Sequence, residues 1–217
     1  MQKIVAEFIG TYVLVLFGTG AVIVNDYTQG QVTHLGVSLV FGLVVMGIIF
    51  AFSRVSGAHI NPAVSFAFYL NKNLTKVELI SYVIAQFLGG IAASFTWRIF
   101  FSEGITFGAT LPQIGDTPTF IMEFILTFIL MLVVFMVGLG DAIQAKFAAI
   151  AIGGLVTIEA LVCGPLTGAS MNPARSLGPA IFSGTLEYTW IYCTAPILGA
   201  VAALPVWKYL LGGEVLD

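Results

Sequence analysis

Two ten-residue segments carry the same pattern and decide how this chain is interpreted. The first is Ser56-Gly57-Ala58-His59-Ile60-Asn61-Pro62-Ala63-Val64-Ser65, and the second, 111 residues later, is Thr167-Gly168-Ala169-Ser170-Met171-Asn172-Pro173-Ala174-Arg175-Ser176. Asparagine is a favoured helix N-cap and proline is favoured at the first helical position, so each segment predicts a helix that starts at Asn-Pro. The apolar stretches there, about 60–70 and 172–183, are too short to cross a membrane and predict re-entrant segments.

The composition excludes a soluble protein. Of the 217 residues, 59% are hydrophobic and 9% are charged, and the mean hydropathy is +1.02. Soluble domains carry about a quarter charged residues. The net charge of −3 and the absence of a basic run argue against a nucleic-acid partner. Cys163 and Cys193 lie in apolar stretches and suggest neither a disulfide framework nor a metal cluster, so we expect no metal and no cofactor.

Six stretches reach the length of roughly 20 apolar residues that a membrane-spanning helix needs. They are about 4–24, 34–53, 78–100, 118–138, 146–164 and 188–210. Their low charge and lack of alternation favour helices over a barrel. The first begins almost at Met1 and is long enough to be a retained span rather than a cleavable signal.

The basic residues predict the orientation. Most fall on one side of the membrane if both termini share that side, namely Lys3, Arg54, Lys72, Lys76, Lys146 and Lys208. The positive-inside rule therefore places both termini in the cytoplasm, in a plasma or inner membrane.

The chain divides into two similar halves. Beyond the shared segments, Ala6–Thr11 in the first span resembles Met122–Thr127 in the fourth. Each half has three spans, an odd number, so the second half must cross the membrane upside down. We expect one channel domain, 1–217, with inverted halves of about 1–105 and 118–212. The two short helices then enter from opposite faces and point their N-termini at each other.

The motifs Asn61-Pro62-Ala63 and Asn172-Pro173-Ala174-Arg175, each after Ser/Thr-Gly-Ala, resemble the major intrinsic protein family of aquaporins and aquaglyceroporins. The stretch Gly164–Ala180 most resembles the nodulin-26-like branch and its bacterial relatives. The resemblance covers essentially the whole chain. It implies an all-α membrane protein, with six transmembrane helices and two re-entrant half-helices, that passes water and small neutral solutes. The homotetramer expected for this protein rests on the resemblance alone.

Two facing helix N-termini carry about half a positive charge each and would repel cations and protons at the pore centre. The side-chain amides of Asn61 and Asn172 would donate to a passing oxygen. The alternative is that these asparagines only cap their helices.

Arg175 is an intramembrane charge at a helix start, where the helix dipole opposes a cation. Val64 stands at the equivalent position of the first half, so the fold itself does not require the arginine. By the family resemblance Arg175 belongs to a selectivity filter with Phe41, Ala160 and Ala169. The alternative is a structural salt bridge.

The resemblance also bears on the solute. Water-selective members of the family have a histidine at the position of Ala160, so its absence predicts a wider, more apolar filter. Such a filter suits glycerol-like polyols, neutral metalloid acids or ammonia as well as water. Ser176 and Ala180, in contrast, resemble the water-type pattern, so a strictly water-selective aquaporin is the alternative.

Three carboxylates and a histidine complete the candidate site. Buried carboxylates have to accept hydrogen bonds, and the resemblance implies that Glu7 and Glu123 brace the two re-entrant loops. Glu159 neighbours Ala160, and both pore contact and simple packing stay open for it. His59 is expected to line the cytoplasmic half of the pore, without the companions that a metal site needs.

The sequence also bears on three other classes of function, namely secondary transporters, structural or adhesion proteins and enzymes. Inverted repeats also build secondary transporters, whose coupling site needs an acidic residue on the path, and Glu159 is the one candidate. A structural or adhesion protein would need a larger outer domain than the loop at about 101–117. No nucleophile–base set, metal ligands or phosphate loop indicates an enzyme.

Overall fold

The computed structural model describes residues 1–101 and 106–211. Within them the helices are α1 Gln2–Tyr27, α2 Thr33–Ser56, α3 Pro62–Leu70, α4 Lys76–Phe100, α5 Asp116–Gly138, α6 Ala142–Thr167, α7 Pro173–Ser183, a 3-10 turn Leu186–Tyr188 and α8 Thr189–Leu210. Six are long and apolar enough to cross a membrane, which confirms the predicted multi-pass membrane protein. The helices α3 and α7 are the two short ones that the Asn-Pro segments predict. The predicted half boundaries at 105 and 212 lie outside the described residues.

The helices pack so that the two halves of the chain hold each other. α1 contacts α2 and α4, α5 contacts α6 and α8, and α2 packs against α6 across the middle. Each short helix packs mainly on a span of the other half, α3 on α8 and α7 on α4. Six crossings bring the start of α1 and the end of α8 to one side of the membrane, called the termini face below.

α6 is longer than the span predicted at about 146–164. Its start moves back to Ala142 because the Asp141 carboxylate accepts the backbone N–H groups of Ile143 and Gln144, both at 2.8 Å. Its end passes Pro165, which has no N–H to bond the carbonyl of Leu161. His34 of α2 replaces that donor, with its Nε2 atom 2.7 Å from the Leu161 oxygen.

The two re-entrant legs, residues 57–60 and 168–171, have the same unusual backbone. Gly57, Ala58 and Ile60 have φ angles of +88°, +51° and +46°, and the equivalent residues, Gly168, Ala169 and Met171, have +86°, +40° and +53°. Left-handed conformations cost roughly 1–2 kcal/mol for each residue that has a Cβ. The lipid offers these legs no hydrogen bonds, so the protein has to supply them.

Glu7 and Glu123 supply those bonds. The Glu7 carboxylate accepts from four donors, namely Ser56 Oγ at 2.6 Å, His59 N at 2.9 Å, Ile60 N at 2.6 Å and Gln86 Nε2 at 2.7 Å. The Glu123 carboxylate accepts from Thr167 Oγ1 at 2.8 Å, Ser170 N at 2.9 Å and Met171 N at 2.8 Å. Both are fully buried. These are the contacts that a bracing role requires.

Replacing Glu7 with glutamine tests this brace. A glutamine side chain has one acceptor oxygen, so at least one of the four donors loses its partner inside the membrane. Unsatisfied buried donors cost about 2 kcal/mol, and we expect the apparent melting temperature of Glu7→Gln in detergent to fall by about 4–8 °C. The exposed Glu187 provides the matched control, Glu187→Gln. Equal melting of both variants would contradict the role given to Glu7.

Candidate functional site

The centre of the site is the meeting point of the N-termini of α3 and α7. Asn61 caps α3, where its Oδ1 accepts from Ala63 N at 2.9 Å. Asn172 caps α7 in the same way, accepting from Ala174 N at 3.0 Å. Pro62 and Pro173, like the two alanines, are buried in the first turns. The carbonyl oxygen of each asparagine amide is therefore used by its own helix.

The amide nitrogens of the same two side chains cross to the opposite half. Asn61 Nδ2 donates to the carbonyl of Met171, and Asn172 Nδ2 donates to the carbonyl of Ile60, both at 2.8 Å. A side-chain amide has two N–H groups. Each asparagine thus keeps one N–H, and both residues line an internal cavity. Capping and donation to a molecule in the cavity are compatible in this arrangement.

This cavity, of about 730 Å³, runs from the termini face past the two asparagines. Arg54 and Lys146 line it at the termini face. Farther along, its lining contains every residue that the sequence predicts for the filter or the inner pore, namely Phe41, Ala160, Ala169, Arg175 and His59. Phe41 and Arg175, 134 positions apart in the chain, are therefore brought together on one path.

Arg175 is held against one wall of the cavity. Its Cζ atom lies 4.9 Å from the centre of the Phe41 ring, a cation–π contact, and its Nη1 donates to the carbonyl of Gly108 at 2.7 Å. Phe41 in turn rests on Gly18 of α1, where a larger side chain would overlap the ring. Within residues 1–101 and 106–211, no carboxylate lies in ion-pair distance of Arg175. The guanidinium therefore keeps N–H groups that can donate to a solute.

The sequence alone indicates no role for the outer segment that carries Gly108. Gly108 contributes a backbone carbonyl, a group that every residue has, so nothing in the residue pattern indicates its function. Next to it, Thr110 donates a hydrogen bond from Oγ1 to Ser176 Oγ at 2.8 Å. Polar residues at positions 110 and 176 could have suggested a contact only once the fold was known.

His59 lies in the first re-entrant leg, on the side of the asparagines nearer the termini face. It is buried, and its Nδ1 atom is 3.1 Å from Ser65 Oγ. The centroid of its ring lies 4.5 Å from the ring centroid of Phe68 and 5.4 Å from that of Tyr82. These contacts hold the imidazole in one orientation at the cavity wall.

Glu159 is 5% exposed, and neither of its carboxylate oxygens has a hydrogen-bond partner among the described residues. Glu159 is also absent from the cavity lining in the part of the chain that the structure describes. The structure shows no hydrogen bond from its carboxylate to Arg175, whose described side-chain partner is Gly108. Its role stays a prediction, and the described cavity lining gives no support for pore contact.

Comparisons with known proteins agree with the paired motifs. The sequence profile described as Major intrinsic protein matches residues 1–207. The chain is 41% identical over 210 residues to Nodulin-26 from Glycine max, covering 96% of this chain and 77% of that protein. It is 42% identical over 212 residues to Aquaporin NIP1-1 from Zea mays, covering 97% and 74%.

A solved structure has the same fold. The X-ray structure of the aquaglyceroporin from Plasmodium falciparum superposes with a TM-score of 0.84 at 26% identity, covering 97% of this chain and 96% of that one. The predicted bundle of six spans and two half-helices is thereby confirmed, as is the resemblance to the nodulin-26-like branch. With its paired capped half-helices and a family profile over nearly its full length, this chain belongs to the major intrinsic protein family.

Proposed function

We propose that the cavity is a pore for water and small uncharged solutes, including glycerol-like polyols, neutral metalloid acids and ammonia, and that it excludes ions and protons. Membership of this family makes the chain a passive channel and not an enzyme. The observation that carries the solute range is the pair of small side chains, Ala160 and Ala169, which share the filter with Phe41 and Arg175.

The proposed path offers each solute two kinds of surface. The alkyl part of a polyol lies against Phe41 and the apolar lining. Its hydroxyl oxygens accept from the unpaired N–H groups of Arg175 and then from those of Asn61 and Asn172. Donors on a narrow path make up for the hydration that the solute loses, which an otherwise apolar cavity cannot do. The names of two similar proteins, an aquaporin and an aquaglyceroporin, support both classes of solute.

The proposed ion exclusion is electrostatic. The N-termini of α3 and α7 meet beside the asparagines and put partial positive charge on both sides of the path. Arg175 adds a full charge in the filter, and Arg54 and Lys146 add two more at the other mouth. The cavity lining, in the part of the chain described, holds no carboxylate to offset them. Cations and protons therefore meet a continuous barrier.

The proposal extends to the setting of the channel. The first half, about 1–105, and the second, about 118–212, act as one domain, which the crossed packing of α3 and α7 supports. The termini face is the cytoplasmic face of a plasma or inner membrane, in line with the basic residues there. The chain assembles as a homotetramer by analogy with its family, and light scattering of the detergent-solubilised protein tests that assembly.

Two alternative functions predict different results in transport measurements. A strictly water-selective channel would require the filter to close to every larger solute. A secondary transporter is not favoured, because the chain belongs to a family of passive channels and Glu159 lies off the lining of the described cavity.

The first prediction concerns transport by the unmodified chain. Proteoliposomes should shrink faster than empty vesicles in an impermeant osmolyte and should re-swell rapidly in glycerol, as measured by stopped-flow light scattering. Fast shrinkage without re-swelling would establish the water-selective alternative. Rates that saturate with solute or depend on an ion gradient would favour a carrier.

The second prediction concerns the width of the filter. Histidine at position 160 adds bulk and a donor, so Ala160→His should lower glycerol permeability by about tenfold relative to water permeability. Ala160→Gly adds no bulk and should keep the ratio of the unmodified chain. If other residues set the width of the filter, Ala160→His and Ala160→Gly would have the same ratio of glycerol to water permeability.

The third prediction concerns Arg175. Valine occupies the equivalent position in α3, so Arg175→Val should leave α7 intact while removing the charge. Loss of a full charge beside the path should raise proton leak by about tenfold or more, followed with a pH-sensitive dye inside the vesicles. Arg98→Val, which removes a guanidinium outside the described cavity lining, is the control. No added leak in Arg175→Val would contradict the electrostatic barrier.

A further inference from the structure

The start of α7 is tied to the outer segment by a chain of three hydroxyl groups. Thr110, 4% exposed, donates from Oγ1 to Ser176 Oγ at 2.8 Å. Ser176 shares a short hydrogen bond with Ser170 Oγ, and Ser170 Oγ lies 3.0 Å from the carbonyl of Asn172, to which it donates. Since a carbonyl only accepts, the protons all run one way, from Thr110 toward Asn172. The side chain of Thr110 is thus committed to this chain.

The turn before Thr110 fits closely between α1 and the second re-entrant leg. Gly108 has φ +67°, and a Cβ there would lie 2.8 Å from the Cβ of Thr19. On the other side, a Cβ on Gly168 would lie 2.8 Å from the Cγ2 of Thr110. Positions 108 and 168 therefore have no room for a side chain, and the turn lies in close contact with α1 and with the leg.

The Gly108 carbonyl accepts a hydrogen bond from the Arg175 guanidinium. Among the described residues it is the one protein group that accepts from this side chain. Gly108 stands two residues before Thr110, and Arg175 stands one before Ser176. The bond between Thr110 and Ser176 therefore closes a small ring of contacts around the arginine. Any loosening at Thr110 is passed to the guanidinium through two residues of backbone.

In the first half of the chain, the equivalent serine is hydrogen-bonded by a helix residue and not by an outer segment. There Ser65, the counterpart of Ser176, accepts from Gln86 Nε2 of α4 at 2.9 Å. When Ala85-Gln86-Phe87-Leu88-Gly89 of α4 is aligned with Ala195-Pro196-Ile197-Leu198-Gly199 of α8, Pro196 takes the place of Gln86, and its side chain cannot donate. Thr110 is thus the donor that replaces a helix glutamine, and it does so only in the half that carries the filter arginine.

We propose that Thr110 is a positioning residue that sets the solute selectivity of the pore by holding the Gly108 carbonyl against Arg175. The proposal rests on the proposed function, in which the cavity is the conducting path. With Thr110 bonded, the guanidinium stays on the wall beside Phe41. Without it, the guanidinium gains freedom to enter the lumen, where it obstructs a polyol more than a water molecule.

The test compares Thr110→Val, which keeps the side-chain shape, with Thr110→Ser, which keeps the hydroxyl. In proteoliposomes, Thr110→Val should lower the ratio of glycerol to water permeability by about threefold, the effect of one lost hydrogen bond on the position of the guanidinium. Thr110→Ser should restore the ratio. Thr194→Val removes an exposed hydroxyl that bonds within α8 and should change nothing.

A second background separates positioning from simple stability. In Arg175→Val there is no guanidinium to hold, so adding Thr110→Val should leave the permeability ratio of that background unchanged. A purely structural role for Thr110 would instead lower both permeabilities by the same factor in either background. An unchanged ratio in Thr110→Val, or the same change in both backgrounds, overturns the proposal. If Arg175→Val does not insert, the restoration by Thr110→Ser decides.

Failure of the proposed function is recognised separately. If the unmodified chain passes water but no glycerol, the solute range is wrong while Thr110 is still tested. Water permeability per channel should then fall by about threefold in Thr110→Val, recover in Thr110→Ser, and stay unchanged when Thr110→Val is added to Arg175→Val. Unchanged water permeability in Thr110→Val would overturn the role of Thr110 in that case also.

Discussion

A carboxylate inside a membrane has to be surrounded by donors, and Glu7 and Glu123 each find two of theirs in the backbone of a re-entrant leg. The left-handed residues of each leg bring two successive N–H groups to one carboxylate. Each leg then ends at an asparagine in position to cap its half-helix. The meeting of the two helix N-termini, the cavity beside them and the filter beyond all depend on these two anchors.

The halves share their anchors but differ where selectivity arises. Val64 and Arg175 occupy equivalent positions, as do Gln86 and Pro196. Ser65 of the first half is hydrogen-bonded by Gln86 of α4, whereas Ser176 and Arg175 of the second half are bonded to Thr110 and Gly108 of the outer segment. In the proposed filter, the first half contributes Phe41 and the second half contributes Ala160, Ala169 and the charge of Arg175.

Much of this arrangement could be predicted because its signals are local. Apolar length gives the six spans, and an Asn-Pro pair gives each short helix whatever surrounds it. The passage of α6 beyond Pro165 could not be predicted, since it depends on His34, 127 residues away from Leu161. The role of Gly108 was equally hidden, because it uses only a main-chain oxygen. The positions of Phe41 and Ala160 were available through the family resemblance, and their meeting on one cavity required the fold.

The exchange of hydrogen bonds between Asn61 and Met171 and between Asn172 and Ile60 has an evolutionary consequence. Each half donates one such hydrogen bond and accepts the equivalent one, which is the contact pattern of an isologous interface around a two-fold axis. Here the axis lies in the plane of the membrane. A half-length ancestor with one such segment would find its partner in a second copy inserted the other way up. Fusion of two such copies into one chain would free each to acquire substitutions that an antiparallel homodimer would have to make twice.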